Sequence, residues 1–256
     1  MLEKADVTVI IPTHLNENYD YLKACVRSVL ASVAVELDVI VISDAPMGRV
    51  HFGARVRDYW DQSLNNLTKK WKRGLELAKP ETKFVMLISD DVMVSKYAIA
   101  DLVQVARDQK VILSPASNCD ATTRYYTQFW LGMGQGEGMY IPHKCTLEDI
   151  QGYEEEVINY PRGPNITLDP GWVSFYCTLF PKTVLQEVGA FDEDLDVRHN
   201  DVDYCSRARQ RGIPSLIYLG AFALHFGDRT LPKCTPQEEY IRADEAYRKK
   251  YGLGVN

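Results

Sequence analysis

The chain lacks several features that would place it quickly. None of its cysteines, at positions 25, 119, 145, 177, 205 and 234, forms a Cys-x-x-Cys pair, so a structural zinc site is not expected. They are dispersed, and several lie in or beside apolar runs, which reads as reduced core thiols rather than a disulfide framework. No apolar run approaches the ~20 residues needed to span a bilayer. The opening Met1-Leu2-Glu3-Lys4-Ala5-Asp6 is polar and not a secretory signal, so the expected setting is cytoplasmic. An excess of positive charge is also missing. Lys and Arg number 29 against 35 Asp and Glu, a net charge of −6. No global field favours a phosphate backbone, and nucleic acid is not the expected partner. Finally, no glycine-rich turn follows the first apolar run, which argues against a dinucleotide-cofactor enzyme.

What is present is a repeating α/β rhythm. Hydrophobic residues make up 46% of the 256 residues, enough for a sizeable core. Val7 to Ile11, Asp38 to Ile42 and Phe84 to Ile88 are short, β-branched-rich runs that predict buried strands. Between them, Leu22, Val26, Val29, Leu30 and Val33, then Leu64, Leu67, Trp71, Leu75 and Ala78, recur at helical spacing. A helix over about 96–107 and a strand at Val111 to Leu113 follow. This order predicts a mostly parallel sheet with helices on both faces.

From Cys119 to Asp169 the rhythm breaks into an aromatic, glycine-containing excursion. Regular elements resume with a strand from Val173 to Phe180, a short helix behind Pro181, a helix over 202–211 and a strand over 215–219. A capping box, Thr235-Pro236-Gln237-Glu238, opens a polar C-terminal helix. With no repeat and no low-complexity linker, one continuous domain is expected over 1–256. It divides into a first half (1–118), a second half (119–234) and the terminal helix (235–256).

In an open α/β sheet, ligands bind beyond the carboxyl ends of the strands. Three predicted strands end there in Pro12-Thr13, Asp44 and Asp90-Asp91. That rim suits a ligand with hydrogen-bonding edges and a metal ion. The segments Val9 to Thr13, the strand ending at Asp44, and Ile88-Ser89-Asp90-Asp91-Val92 resemble the nucleotide-binding half of the inverting family-two glycosyltransferases of GT-A fold. Val188-Gly189-Ala190-Phe191-Asp192-Glu193 resembles that family's Val-Gly-Gly-Phe-Asp-Glu. Asn200-Asp201-Val202-Asp203-Tyr204-Cys205-Ser206-Arg207 with Gly212 resembles its Glu-Asp-x-Asp-Leu-Cys-x-Arg…Gly. His225-Phe226-Gly227 resembles its late histidine segment.

The resemblance implies a metal-dependent, inverting transfer of a sugar from a nucleoside-diphosphate sugar, UDP-linked by preference, to an acceptor hydroxyl. The acceptor can be a glycan, a lipid-linked saccharide, a protein or a modified base. Asp91, with His225, would hold Mn²⁺ or Mg²⁺ against the diphosphate. Asp90 would support Asp91 or face the ribose, and Asp44 would meet the base. Pro12 and Thr13 would line the nucleotide slot, and Arg229 would reach the diphosphate. Asp201 would be the general base. Trp172 would give the acceptor a flat apolar face, and Asp203 would hold the acceptor or cap its helix. Lys72 and Arg73 read as a solvated helix face. Asn200 stands where the family has Glu. Two other readings are a sugar nucleotidyltransferase, which would need a glycine- and arginine-rich loop in place of Pro12 to Asn16, and a non-catalytic binding protein of the same fold.

Overall fold

The computed structural model describes residues 6–14, 19–47, 52–118, 147–196, 198–226 and 237–253. Among the described residues, nine strands form one sheet: β1 (Asp6–Thr13), β2 (Glu36–Ser43), β3 (Val56–Trp60), β4 (Phe84–Ile88), β5 (Val92–Val94), β6 (Ile112–Ser117), β7 (Thr167–Leu168), β8 (Cys177–Pro181) and β9 (Ser215–His225). The described helices are α1 (Tyr19–Leu30), α2 (Leu67–Leu77), α3 (Ala98–Ala106), α4 (Leu147–Ile158), α5 (Lys182–Val188), α6 (Asn200–Arg209) and α7 (Gln237–Tyr251).

The sheet runs β3-β2-β1-β4-β8-β6-β9-β5, with β7 paired to β9. Strands β1 to β4 are mutually parallel, and so are β6 and β9. The insertion of β8 is antiparallel, as are the pairings of β5 and β7 with β9. The mostly parallel sheet expected from the sequence is therefore mixed in its second half.

Successive residues of β1 supply opposite faces of the sheet. Val7, Val9 and Ile11 pack with Leu22, Val26 and Val29 of α1 and Leu102 of α3. Ile10 packs on the other face with Trp71 of α2, Val184 of α5 and Tyr204 of α6. A strand covered on both faces has no polar side to show, which is why these runs carry no alternation.

Several boundaries differ from the sequence reading. β1 continues through Pro12, which pairs with Ile42. The β1–β4 register ends at Ile10–Leu87, so the proline lies beyond the doubly bonded part of the strand. β9 does not stop at Leu219. Its register against β6 shifts between Tyr218 and Phe222, a bulge that lets one strand carry both apolar runs. β8 begins only at Cys177, leaving 173–176 of the expected strand outside it.

Helix α2 sits unusually close to β1. A Cβ on Gly74 would lie 2.5 Å from Ile10 Cγ2. Overpacking of this kind costs about 1–3 kcal/mol, more than the ~1 kcal/mol that alanine gains over glycine in a helix. Gly74→Ala is therefore expected to lower the urea midpoint of unfolding. An equal or higher midpoint would contradict the close approach.

Candidate active site

Parallel pairing brings the carboxyl ends of β1, β2 and β4 to one rim. The antiparallel strands deliver their complementary ends to the same place. Ile88 pairs with Cys177 at the start of β8, and Val92 pairs with His225 at the end of β9. Ser89 N donates to Tyr176 O at 2.7 Å, and Phe226 N to Asp91 O at 3.0 Å. His225 N donates to Asn118 Oδ1, just past β6, at 2.9 Å.

Two linked groups of side chains occupy this rim. In the first, Thr13 donates its hydroxyl to Asp90 Oδ2 at 2.6 Å. His14 Nδ1 lies 2.6 Å from Asp44 Oδ2. Lys70, from α2, joins the two. Its Nζ donates to Thr13 O at 2.9 Å, lies 3.0 Å from His14 Nδ1 and stands 3.4 Å from Asp44 Oδ2. The lysine side chain is 0% exposed. A buried ammonium is costly unless compensated. Burial lowers its pKa to about 8, against the opposing pull of Asp44, Asp90 and Asp196. At Asp44, burial works to raise the carboxyl, but the His14 contact and the Lys70 charge outweigh it and hold the group below the usual range.

The second group is Asp91 and His225. Asp91 Oδ1 and His225 Nε2 are 3.3 Å apart, both side chains are largely buried, and the imidazole stacks on Tyr176 with ring centroids 4.7 Å apart. Two ligands bound cis to one octahedral ion at about 2.1 Å would stand about 3 Å apart, so this pair fits a shared divalent cation. Among the described residues, no third His, Cys, Asp or Glu extends it into a metal-ligating cluster. Such an ion would draw its remaining ligands from water and a bound phosphate, as hard cations commonly do.

The loop before β8 connects this pair to Asp201. Ser174 donates to Asp201 Oδ2 at 3.2 Å, two residues before the tyrosine that stacks on His225. Trp172 in the same loop is half-buried against the core below the sheet.

Asp203 behaves differently. It is 0% exposed and bound by Arg207 at 2.9 Å, Lys250 at 2.7 Å and Tyr251 at 2.8 Å. A carboxylate so enclosed ties α6 to α7. Asn200 is also turned inward, its amide donating to Asp196 O at 2.8 Å, while Asp196 Oδ1 accepts from Thr68 N at the start of α2. Position 200 therefore holds structure here through a donor that an ionised carboxylate lacks. Lys72 pairs with Glu193, and Arg73 pairs with Glu76 and covers the Tyr59 ring. Arg229, Thr230 and the 119–146 part of the aromatic excursion lie outside the described residues.

Lys70, His14, Ser174 and Tyr176 were missed in the sequence. A signal did exist for Lys70. It falls three residues after Leu67 and four before Gly74, on the same face of α2.

The sequence matches the family described as glycosyltransferase like family 2 over residues 5–243, and the chain belongs to that family. No curated protein matches the chain. Among solved structures, a crystal structure of GalNAc-T7 with UDP, GalNAc and Mn²⁺ matches with a TM-score of 0.60 at 13% identity. The match covers 88% of this chain and 44% of that one, so this chain spans less than half of that protein's length. At that identity the likeness is one of fold, and the fold is GT-A.

The buried lysine gives a pH-dependent prediction. Between pH 8 and 10.5 the unfolded chain holds the Lys70 proton while the folded chain has released it, so stability from this group rises with pH across that window. The difference in unfolding free energy between wild type and Lys70→Met should climb by at most about 3 kcal/mol from pH 8 to 10.5. Parallel urea series measure it. A flat or falling difference would contradict the burial of the charge.

Proposed function

We propose that this chain is a metal-dependent, inverting glycosyltransferase that transfers a sugar from a nucleoside-diphosphate donor, UDP-linked by preference, to an acceptor hydroxyl. The observation that carries the reading is the Asp91–His225 pair, set on the same sheet rim as the Asp44–His14–Lys70–Thr13–Asp90 network. The fold relative solved with UDP and Mn²⁺ supports the same donor and metal classes. Residues 1–118 would serve the donor, residues 119–234 the acceptor.

Asp91 and His225 would hold a divalent cation, which supplies charge neutralisation for a departing diphosphate. Asp44, kept ionised by its neighbours, is an acceptor suited to an N–H edge of the base. Thr13 and Asp90, joined by their hydrogen bond, face the ribose, and Pro12 shapes the backbone beside them. Arg229 would add a cation near the diphosphate. Trp172 offers an apolar ring for an acceptor sugar to stack on.

Asp201 is the proposed general base. It accepts the proton of the acceptor hydroxyl while that oxygen bonds to the anomeric carbon. The bond from that carbon to the diphosphate oxygen breaks in the same displacement, so the configuration inverts. The inward-turned Asn200 favours this assignment, because it leaves Asp201 as the carboxylate at the start of α6 that meets the rim loop. Ser174, donating to Asp201, orients it.

Two substitutions test the roles. Asp91→Ala should abolish the Mn²⁺-dependent part of UDP binding in calorimetry run with and without EDTA. Unchanged affinity would remove Asp91 from the metal site. Asp201→Asn should retain UDP binding and lower turnover by ~100-fold or more. Turnover is read as nucleoside diphosphate released from a panel of UDP-, GDP- and TDP-sugars. A near-normal rate would place the base elsewhere, and pyrophosphate release from a nucleoside triphosphate and a sugar 1-phosphate would indicate nucleotidyl transfer.

A further inference from the structure

Helix α7 is held by polar and aromatic contacts rather than by a core. Ala243 is its one fully buried residue among those described. Its contacts converge on the segment just before Asp201. Asp244 Oδ1 lies 2.7 Å from His199 Nε2, and Tyr247 stacks on the His199 ring with centroids 4.3 Å apart. Arg198 reaches Asp244 Oδ2 at 3.4 Å and lies over the Tyr240 ring. One turn further on, Lys250 bridges Asp192 at 2.6 Å and Asp203 at 2.7 Å.

His199 itself is in the left-handed conformation, with φ +66°, and no side-chain cap relieves it. Non-glycine residues adopt this conformation only where their surroundings enforce it, and such outliers concentrate at functional segments. His199 is the N-cap of α6, and its carbonyl accepts from Asp203 N at 2.8 Å. The twist at His199 thus sets the direction in which α6 starts, and with it the aim of Asp201 two residues later. The enforcing residues Asp244 and Tyr247 lie beyond residue 243, where the family match ends.

We infer that α7 is a clamp that acts through His199, making His199 a positioning residue for Asp201. The inference rests on the reading of Asp201 as the base. Among the described residues, the ion pairs and ring contacts of α7 lie around the start of α6, so the clamp governs the rate of the displacement and not the affinity for the donor. A displacement of about 1 Å at a reacting group can cost a hundredfold in rate.

The test uses the full chain with His199→Gly, which accepts the left-handed backbone without strain but cuts the tie to α7, and Asp244→Ala, a change at a half-exposed site. Both should lower kcat by about tenfold or more with donor KM within about twofold of wild type. In the double variant the two losses should overlap rather than multiply. In hydrogen exchange, the Asn200–Asp203 amides of Asp244→Ala should exchange about tenfold faster or more.

Wild-type kcat in both single variants would overturn the clamp, even if exchange rises, because α7 would then be a brace alone. Losses that multiply would also overturn it. The base assignment fails separately. Near-normal turnover in Asp201→Asn removes the base and with it the positioning role of His199. An inactive Asp201→Asn beside normal His199→Gly and Asp244→Ala removes the clamp and leaves the base.

Discussion

Carboxylates collected at one edge of a sheet must be compensated, and much of this protein's organisation follows from that requirement. Parallel strands bring Asp44, Asp90 and Asp91 to a common rim where the last two are nearly buried. Like charges in such surroundings repel and lose hydration at once. Lys70 answers at one end, threading from α2 beneath the rim to reach Thr13, His14 and Asp44. His225 answers at the other, brought beside Asp91 by the long, bulged β9. Gly74 lets α2 lie against Ile10, one turn beyond Lys70, and so belongs to the same arrangement.

The second half of the chain divides its polar residues between reach and support. Several residues of the familiar motifs turn inward. Asp192 and Asp203 receive Lys250, Arg207 binds the carbonyls of Val188 and Ala190, and Asn200 binds Asp196. Together they hold the start of α6 between α2 and α7. Asp201 is the carboxylate of that segment that turns toward the rim loop, through Ser174. The proposed general base would need this kind of surrounding, since its precision would come from neighbours that do no chemistry themselves.

The sequence made the doubly covered strands legible, because burial on both faces leaves an unbroken apolar run that loops do not imitate. It made the motif order legible for the same site. It did not make β3 visible. Val56-Arg57-Asp58-Tyr59-Trp60 is an edge strand with mostly exposed side chains, so neither a run nor an alternation marks it. β5 is three residues long and gains its place from pairing with β9, a contact distant in sequence. Lys70 was hidden by its type: lysine on a helix reads as solvated, and only the tertiary meeting with His14 and Asp44 reverses that. The same limit applies to Asp203. Its acidic position at a helix start suggests a cap or a ligand contact equally, and two of its partners, Lys250 and Tyr251, lie almost fifty residues away.

The account stands on Asp44, Asp91, Asp201 and His225 serving one pocket. A crystal structure of the chain soaked with UDP and Mn²⁺ tests this most directly. The account predicts a single cation bound by Asp91 and His225, the uracil against Asp44, and Asp201 facing the open side of the diphosphate. A cation held elsewhere, or a nucleotide bound away from the rim of β1, β2 and β4, would contradict it.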